Sequence, residues 1–145
     1  MPPRGLRILV VLSAIALVAL VCGCGRSAKS AKTSPTLLRV SESDFRINAP
    51  STLKAGEYTL RVDNEGPTDH EFIIAPTRTG SLPLRADGLT VDEEAFERLE
   101  PGSLEPGAPG AVRDLTVVLK PGRYVLFCNM EGHYMAGMHR ELVVQ

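Results

Sequence analysis

Four side chains of this 145-residue chain have the types and spacing to converge on one ion. Cys128, His133 and Met138 stand five residues apart as C-x4-H-x4-M, and His70 lies far upstream. Thiolate and thioether are soft donors that favour copper over magnesium or calcium. Two histidines, one thiolate and one weak thioether form the ligand set of a blue-copper electron-transfer site. Zinc is the rival ion, although its closed sites use four nitrogen or thiolate ligands and thioether suits it poorly. His139 could replace Met138 in a zinc set. Adjacent residues on a strand point to opposite faces, so His139 is expected to be exposed.

Each residue also has an ordinary reading. A histidine after a turn, as in TDHE, is commonly a surface residue. A buried cysteine behaves as a small hydrophobe, and a methionine near a terminus usually packs. Met130 and Met135 read as apolar packing around the loop or as transient copper(I) contacts. Four such coincidences at one spacing argue for a site.

The cellular compartment sharpens the reading of Cys128. Arg4 and Arg7 precede an uncharged apolar run from Ile8 to Val21. Those 14 residues are fewer than the ~20 of a membrane-spanning helix. A basic start, a short apolar run and small residues after it read as a secretory signal. The stretch V-C-G-C, Val21 to Cys24, resembles a lipoprotein processing site. Residues 1–24 are thus expected to be a signal ending in lipidation of Cys24, with plain secretion and an uncleaved anchor as alternatives. Of three cysteines only Cys128 then lies in the folded domain. In an oxidising compartment, where thiols normally pair, a lone one is a liability or a ligand.

The charge balance excludes little. Without Arg4 and Arg7, 14 basic residues face 17 acidic ones, a net of −3. No basic patch suggests nucleic acid.

The elements that must position the ligands follow from periodicity. Residues 25–36 are small and polar and read as a flexible linker. From Leu37 the pattern has period two. Phe45 and Ile47 alternate with polar neighbours in DFRIN, and Tyr58, Leu60 and Val62 do so in EYTLRVDN. HEFIIAP, LTVVL, RYVLFC and RELVVQ are further strands, which predicts an all-β Greek-key sandwich or barrel over 37–145. His70 shares parity with Phe72 and Ile74, and Cys128 with Tyr124 and Leu126, so both are expected to face the core near strand ends. Residues 76–113 hold five prolines and five glycines and read as a loop-rich insertion. TVDEEAFERLE within it reads as one short helix, with Thr90 and Glu93 as a capping box and Ala95, Phe96 and Leu99 as its apolar face. Gly132 and Gly137 precede the loop ligands and allow the chain to fold back.

His70 followed by C-x4-H-x4-M resembles the cupredoxin family of blue, type 1 copper proteins, with a ligand loop similar to the sulfocyanin, auracyanin and rusticyanin types. LKPGRYVLFCNMEGHYMAGMHRELVV and DNEGPTDHEFII carry the likeness, which spans 37–145 and is weakest over 76–113. It implies a cupredoxin-like β-sandwich with one copper ion held by His70, Cys128 and His133, and by Met138 as axial ligand. It further implies electron transfer through the His133 edge, across a partner surface that includes Met130, Tyr134 and Met135. Many cupredoxins carry asparagine directly after the first histidine, where this chain has Glu71. The Glu71 amide is expected to donate to the Cys128 sulfur, with Asn64 or Asn129 replacing the missing side-chain tie. The function expected is a non-enzymatic electron carrier of the cell envelope. It would be a monomer, lipid-anchored on the outer face of the cytoplasmic membrane, serving redox protein partners. The alternative is copper sequestration or delivery.

Overall fold

The computed structural model describes residues 34–145. The signal, Cys24 and the linker up to residue 33 lie outside the described residues. Within them, nine strands form two sheets. Strands β1 (Thr36–Ser43), β2 (Arg46–Asn48), β4 (Gly56–Asn64) and β7 (Val112–Leu119) make a four-stranded sheet in the order β2-β1-β4-β7. Strands β3 (Thr52–Leu53), β5 (His70–Pro76), β6 (Gly102–Gly107), β8 (Gly122–Phe127) and β9 (His139–Val144) make a five-stranded sheet in the order β3-β9-β8-β5-β6. The pairing of β1 with β4 is parallel, while β5, β8 and β9 pair antiparallel. The expected all-β sandwich is thus observed.

Alternation builds the core between the sheets. Tyr58, Leu60 and Val62 of β4 face Phe72, Ile74, Tyr124 and Leu126, with Cys128 and Met138 in the same buried cluster. The opposite side of β5 and β8 is buried as well. Ile73, Ala75, Val125 and Phe127 pack there against Leu82, Val91, Phe96 and Tyr134. Two buried faces explain why FIIA and YVLF read as continuous apolar runs, whereas β4, buried on one face, alternates cleanly.

Three expectations need correction. The helix over TVDEEAFERLE is two separate 3-10 turns, Glu93–Ala95 and Glu97–Leu99. The capping box does not form, because the Thr90 hydroxyl and amide both bond to Asp87. Phe96 leaves helical geometry (φ −141°) and turns in against Phe127, while Leu99 stays exposed. The region read as loop also contains β6, an edge strand that tolerates Pro106 where a central strand would not. Phe45 is no strand residue: it sits in the turn between β1 and β2 at φ 60° and is exposed.

Candidate metal centre

The first strand of the site is β5, whose opening residue, His70, is fully buried. Its approach is fixed by Asn64. The Asn64 amide donates to the carbonyls of Thr68 and Gly107, both at 2.8 Å, and its oxygen accepts the Gly66 amide at 3.0 Å. Cys128 follows the last residue of β8, which pairs with β5 and β9. The eleven residues from Cys128 to Met138 close into a ring. The Cys128 amide donates to the Met138 carbonyl (3.2 Å), and the Met138 amide to the His133 carbonyl (2.9 Å). Gly132 and Gly137 take φ 77° and 105°, where a side chain is disfavoured, and so allow the reversal.

This framework brings three donors together. One ligating atom each from His70, Cys128 and His133 lies within 4.8 Å of the others. Cys128 Sγ is 3.5 Å from His133 Nδ1, and the two imidazole centroids are 5.3 Å apart. The Glu71 amide donates to Cys128 Sγ at 3.4 Å. Met138 is completely buried in the main core, its backbone bonded between those of Cys128 and His133. His139 is exposed, its ring against Tyr134.

Burial sets the electrostatics. It lowers the His70 pKa first, aided by His133 and opposed by Asp44. It raises the Cys128 thiol, opposed by the amides of Glu71 and Met130. Both His70 ring nitrogens are buried, and neither has a hydrogen-bond partner among the described residues. An orphaned buried nitrogen of this kind is costly unless something binds it. Two imidazoles and one thiol, with an unpartnered nitrogen among them, fit a soft metal ion.

The remaining expected residues fall elsewhere. Asn129 ties the ligand loop to the insertion: its oxygen accepts the Val91 amide (2.6 Å) and its nitrogen donates to the Val91 carbonyl (3.1 Å) and to Glu93. Gly132 donates to the Leu89 carbonyl. Tyr134 is buried against Phe127, and its hydroxyl accepts the Leu82 amide (3.2 Å), which removes it from the partner surface. Met130 is half-buried and Met135 exposed. The Glu71 carboxyl is pushed up to about 7, by burial first and then by Glu93 and Glu105.

Sequence reasoning missed the β1–β2 turn, which covers both histidines. Asp44 Oδ1 lies 3.2 Å from His70 Nε2, and the exposed Phe45 ring stands edge-on to His133 at 5.5 Å. A left-handed phenylalanine leaves no signal in composition or period.

The chain matches no family model. It is 28% identical over 124 residues to the copper-resistant cuproprotein CopI of Rubrivivax gelatinosus, covering 83% of this chain and 73% of that one. Its structure resembles reduced auracyanin from Roseiflexus castenholzii (TM-score 0.56, 19% identity, 78% of this chain and 99% of that one). It resembles equally auracyanin A, a "blue" copper protein of Chloroflexus aurantiacus (TM-score 0.56, 16% identity, 77% and 99%). The fold is that of a cupredoxin. Within this fold, the pairing of β5 with β8 brings the strand ends that carry His70 and Cys128 together at one end of the sandwich.

Proposed function

We propose that this chain is a copper-binding electron-transfer protein of the cell envelope, with one copper ion held by His70, Cys128, His133 and Met138. The cluster of two imidazoles and one thiol within 4.8 Å carries this reading. Copper bound there would supply a one-electron centre, cycling between Cu(II) and Cu(I). Cys128 gives up its thiol proton on loading, so metal affinity falls as pH is lowered. The sandwich holds the ligand backbone in one geometry, which limits rearrangement between oxidation states. His133 is the half-exposed ligand, with Phe45, Leu89 and Met135 as exposed apolar side chains nearby. Such a patch suits a weak redox encounter with a protein partner. The reading of residues 1–24 supports a lipid anchor on Cys24 at the outer face of the cytoplasmic membrane, and on this proposal the domain acts as a monomeric, non-enzymatic carrier.

Copper handling is the second reading, favoured by the relative that is named a copper-resistant cuproprotein. The spectrum and exchange behaviour of the copper-loaded chain separate the two. Electron transfer predicts an intense thiolate colour, lost in Cys128→Ser, and copper that cycles in place without passing to a chelator. A colourless copper(II) form would refute the type 1 site. A coloured form that surrenders copper rapidly would favour handling.

A further inference from the structure

We propose that Asp44 is the positioning residue for His70, holding its proton on Nε2 and leaving Nδ1 free for the metal. Asp44 stands outside the ligand set implied by the family likeness. Its Oδ1 is 3.2 Å from His70 Nε2, within ion-pair distance but without the alignment of a hydrogen bond in the metal-free chain. The same oxygen accepts the Thr68 hydroxyl at 2.8 Å, which fixes the carboxylate before any ion arrives. Thr68 lies two residues before His70 on the loop that Asn64 holds. The Glu65 amide donates to the Glu42 carbonyl and joins that loop to the end of β1.

Close approach on this side depends on Gly66. A Cβ there would fall 2.7 Å from His70 Nε2 and 3.1–3.2 Å from the backbone of Ser43 and Asp44. Asp44 and Gly66 therefore occupy the Nε2 side of the ring, and Nδ1 is the nitrogen left for the site. The next residue shows that the turn is shaped for this place. Phe45 at φ 60° adopts the left-handed backbone that L-residues disfavour. Such strain gathers where function requires it, and here it aims the carboxylate at one histidine and the phenyl ring at the other. A ligating histidine generally gives its second N–H to a carboxylate, a carbonyl or water, which sets the tautomer and the ring orientation.

The test needs no metal in its first arm. In the metal-free, 15N-labelled full chain, long-range proton–nitrogen correlation assigns the tautomer of each histidine ring. Wild-type His70 is expected as a single Nε2–H form, retained in Asp44→Asn, whose side-chain oxygen still accepts. Asp44→Ala is expected to give a mixture. Should Asp44→Ala unfold, Thr68→Val frees the carboxylate in a milder way and is expected to mix the tautomers partly. An Nδ1–H form in the wild type, or an unchanged tautomer in a folded Asp44→Ala, overturns the proposal and leaves the copper reading intact. The second arm rests on the copper reading: Asp44→Ala should release copper to a chelator about 10–100-fold faster, and Asp44→Asn close to the wild-type rate. If the wild type binds no copper while the tautomers behave as stated, the copper reading fails and the positioning role stands.

Discussion

The two sheets of the sandwich meet solvent differently. On the outer face of the four-stranded sheet, Thr59 stands opposite Thr116 and Arg61 opposite Asp114, as polar cross-strand pairs, with Val118 exposed beside them. On the outer face of the five-stranded sheet, Ile73, Ala75, Val125 and Phe127 lie under the insertion and Tyr134. The candidate ligands belong to the covered sheet and to the loop that leaves it. The insertion thus serves as a backing: it supports the strands from behind and grips the ligand loop through Asn129, Gly132 and Tyr134.

Breaking the backing should have the largest effect. Phe127→Ala removes a fully buried ring that touches both Phe96 and Tyr134, and is expected to lower stability by about 3–5 kcal/mol. Chemical denaturation measures the loss, and a loss confined to the wet sheet's scale would contradict the role of the insertion. Near the open edge, the Arg113 guanidinium joins buried Glu42 at 2.6 Å and also donates to the Glu105 carbonyl of the opposite sheet. Burial outweighs Arg113 and pushes the Glu42 carboxyl from 4.5 up to about 7. The folded chain therefore keeps a proton that the unfolded chain releases between those values. The contribution of Glu42 to stability is therefore full below pH 4.5 and is lost as pH rises through about 7, by up to about 3 kcal/mol at ~1.4 kcal/mol per unit. Denaturation midpoints across that range test the slope, which Glu42→Gln should reduce, leaving the part that comes from Glu71.

A finer cut separates the grip from the backing. Asn129→Ala leaves the Val91 amide and carbonyl without their partner, expected to cost about 1–3 kcal/mol. It should also raise hydrogen exchange in the ligand loop and leave exchange in β4 and β7 unchanged. Val118→Thr on the wet face should change stability by no more than about 0.5 kcal/mol; a larger effect would show that this face is not solvent-facing.

The same contrast explains what could be read from the residues alone. β4 alternates because one of its faces is wet, and the parity of His70 with Phe72 and of Cys128 with Leu126 follows from that regular geometry. The C-x4-H-x4-M spacing was visible because it is local. The insertion was opaque, since its order comes from distant partners: Phe96 finds Phe127, Asn129 finds Val91, and both override local helical preference. Asp44 looked like the polar face of a strand because the reversal at Phe45 depends on tertiary support. Tyr134 looked like surface because its partner Leu82 lies 52 residues away.

The ring that runs from Cys128 to Met138 is closed by its own backbone, and so has the outline of a transplantable cassette. Its anchors say otherwise. Besides Cys128, which accepts the Glu71 amide, three of its residues are bonded to segments more than thirty positions earlier in the chain. Moving the cassette into another sandwich would leave Asn129 and Tyr134 without counterparts, so an engineer would have to carry residues 82–93 along with it. The unit of exchange in this protein is two segments distant in sequence.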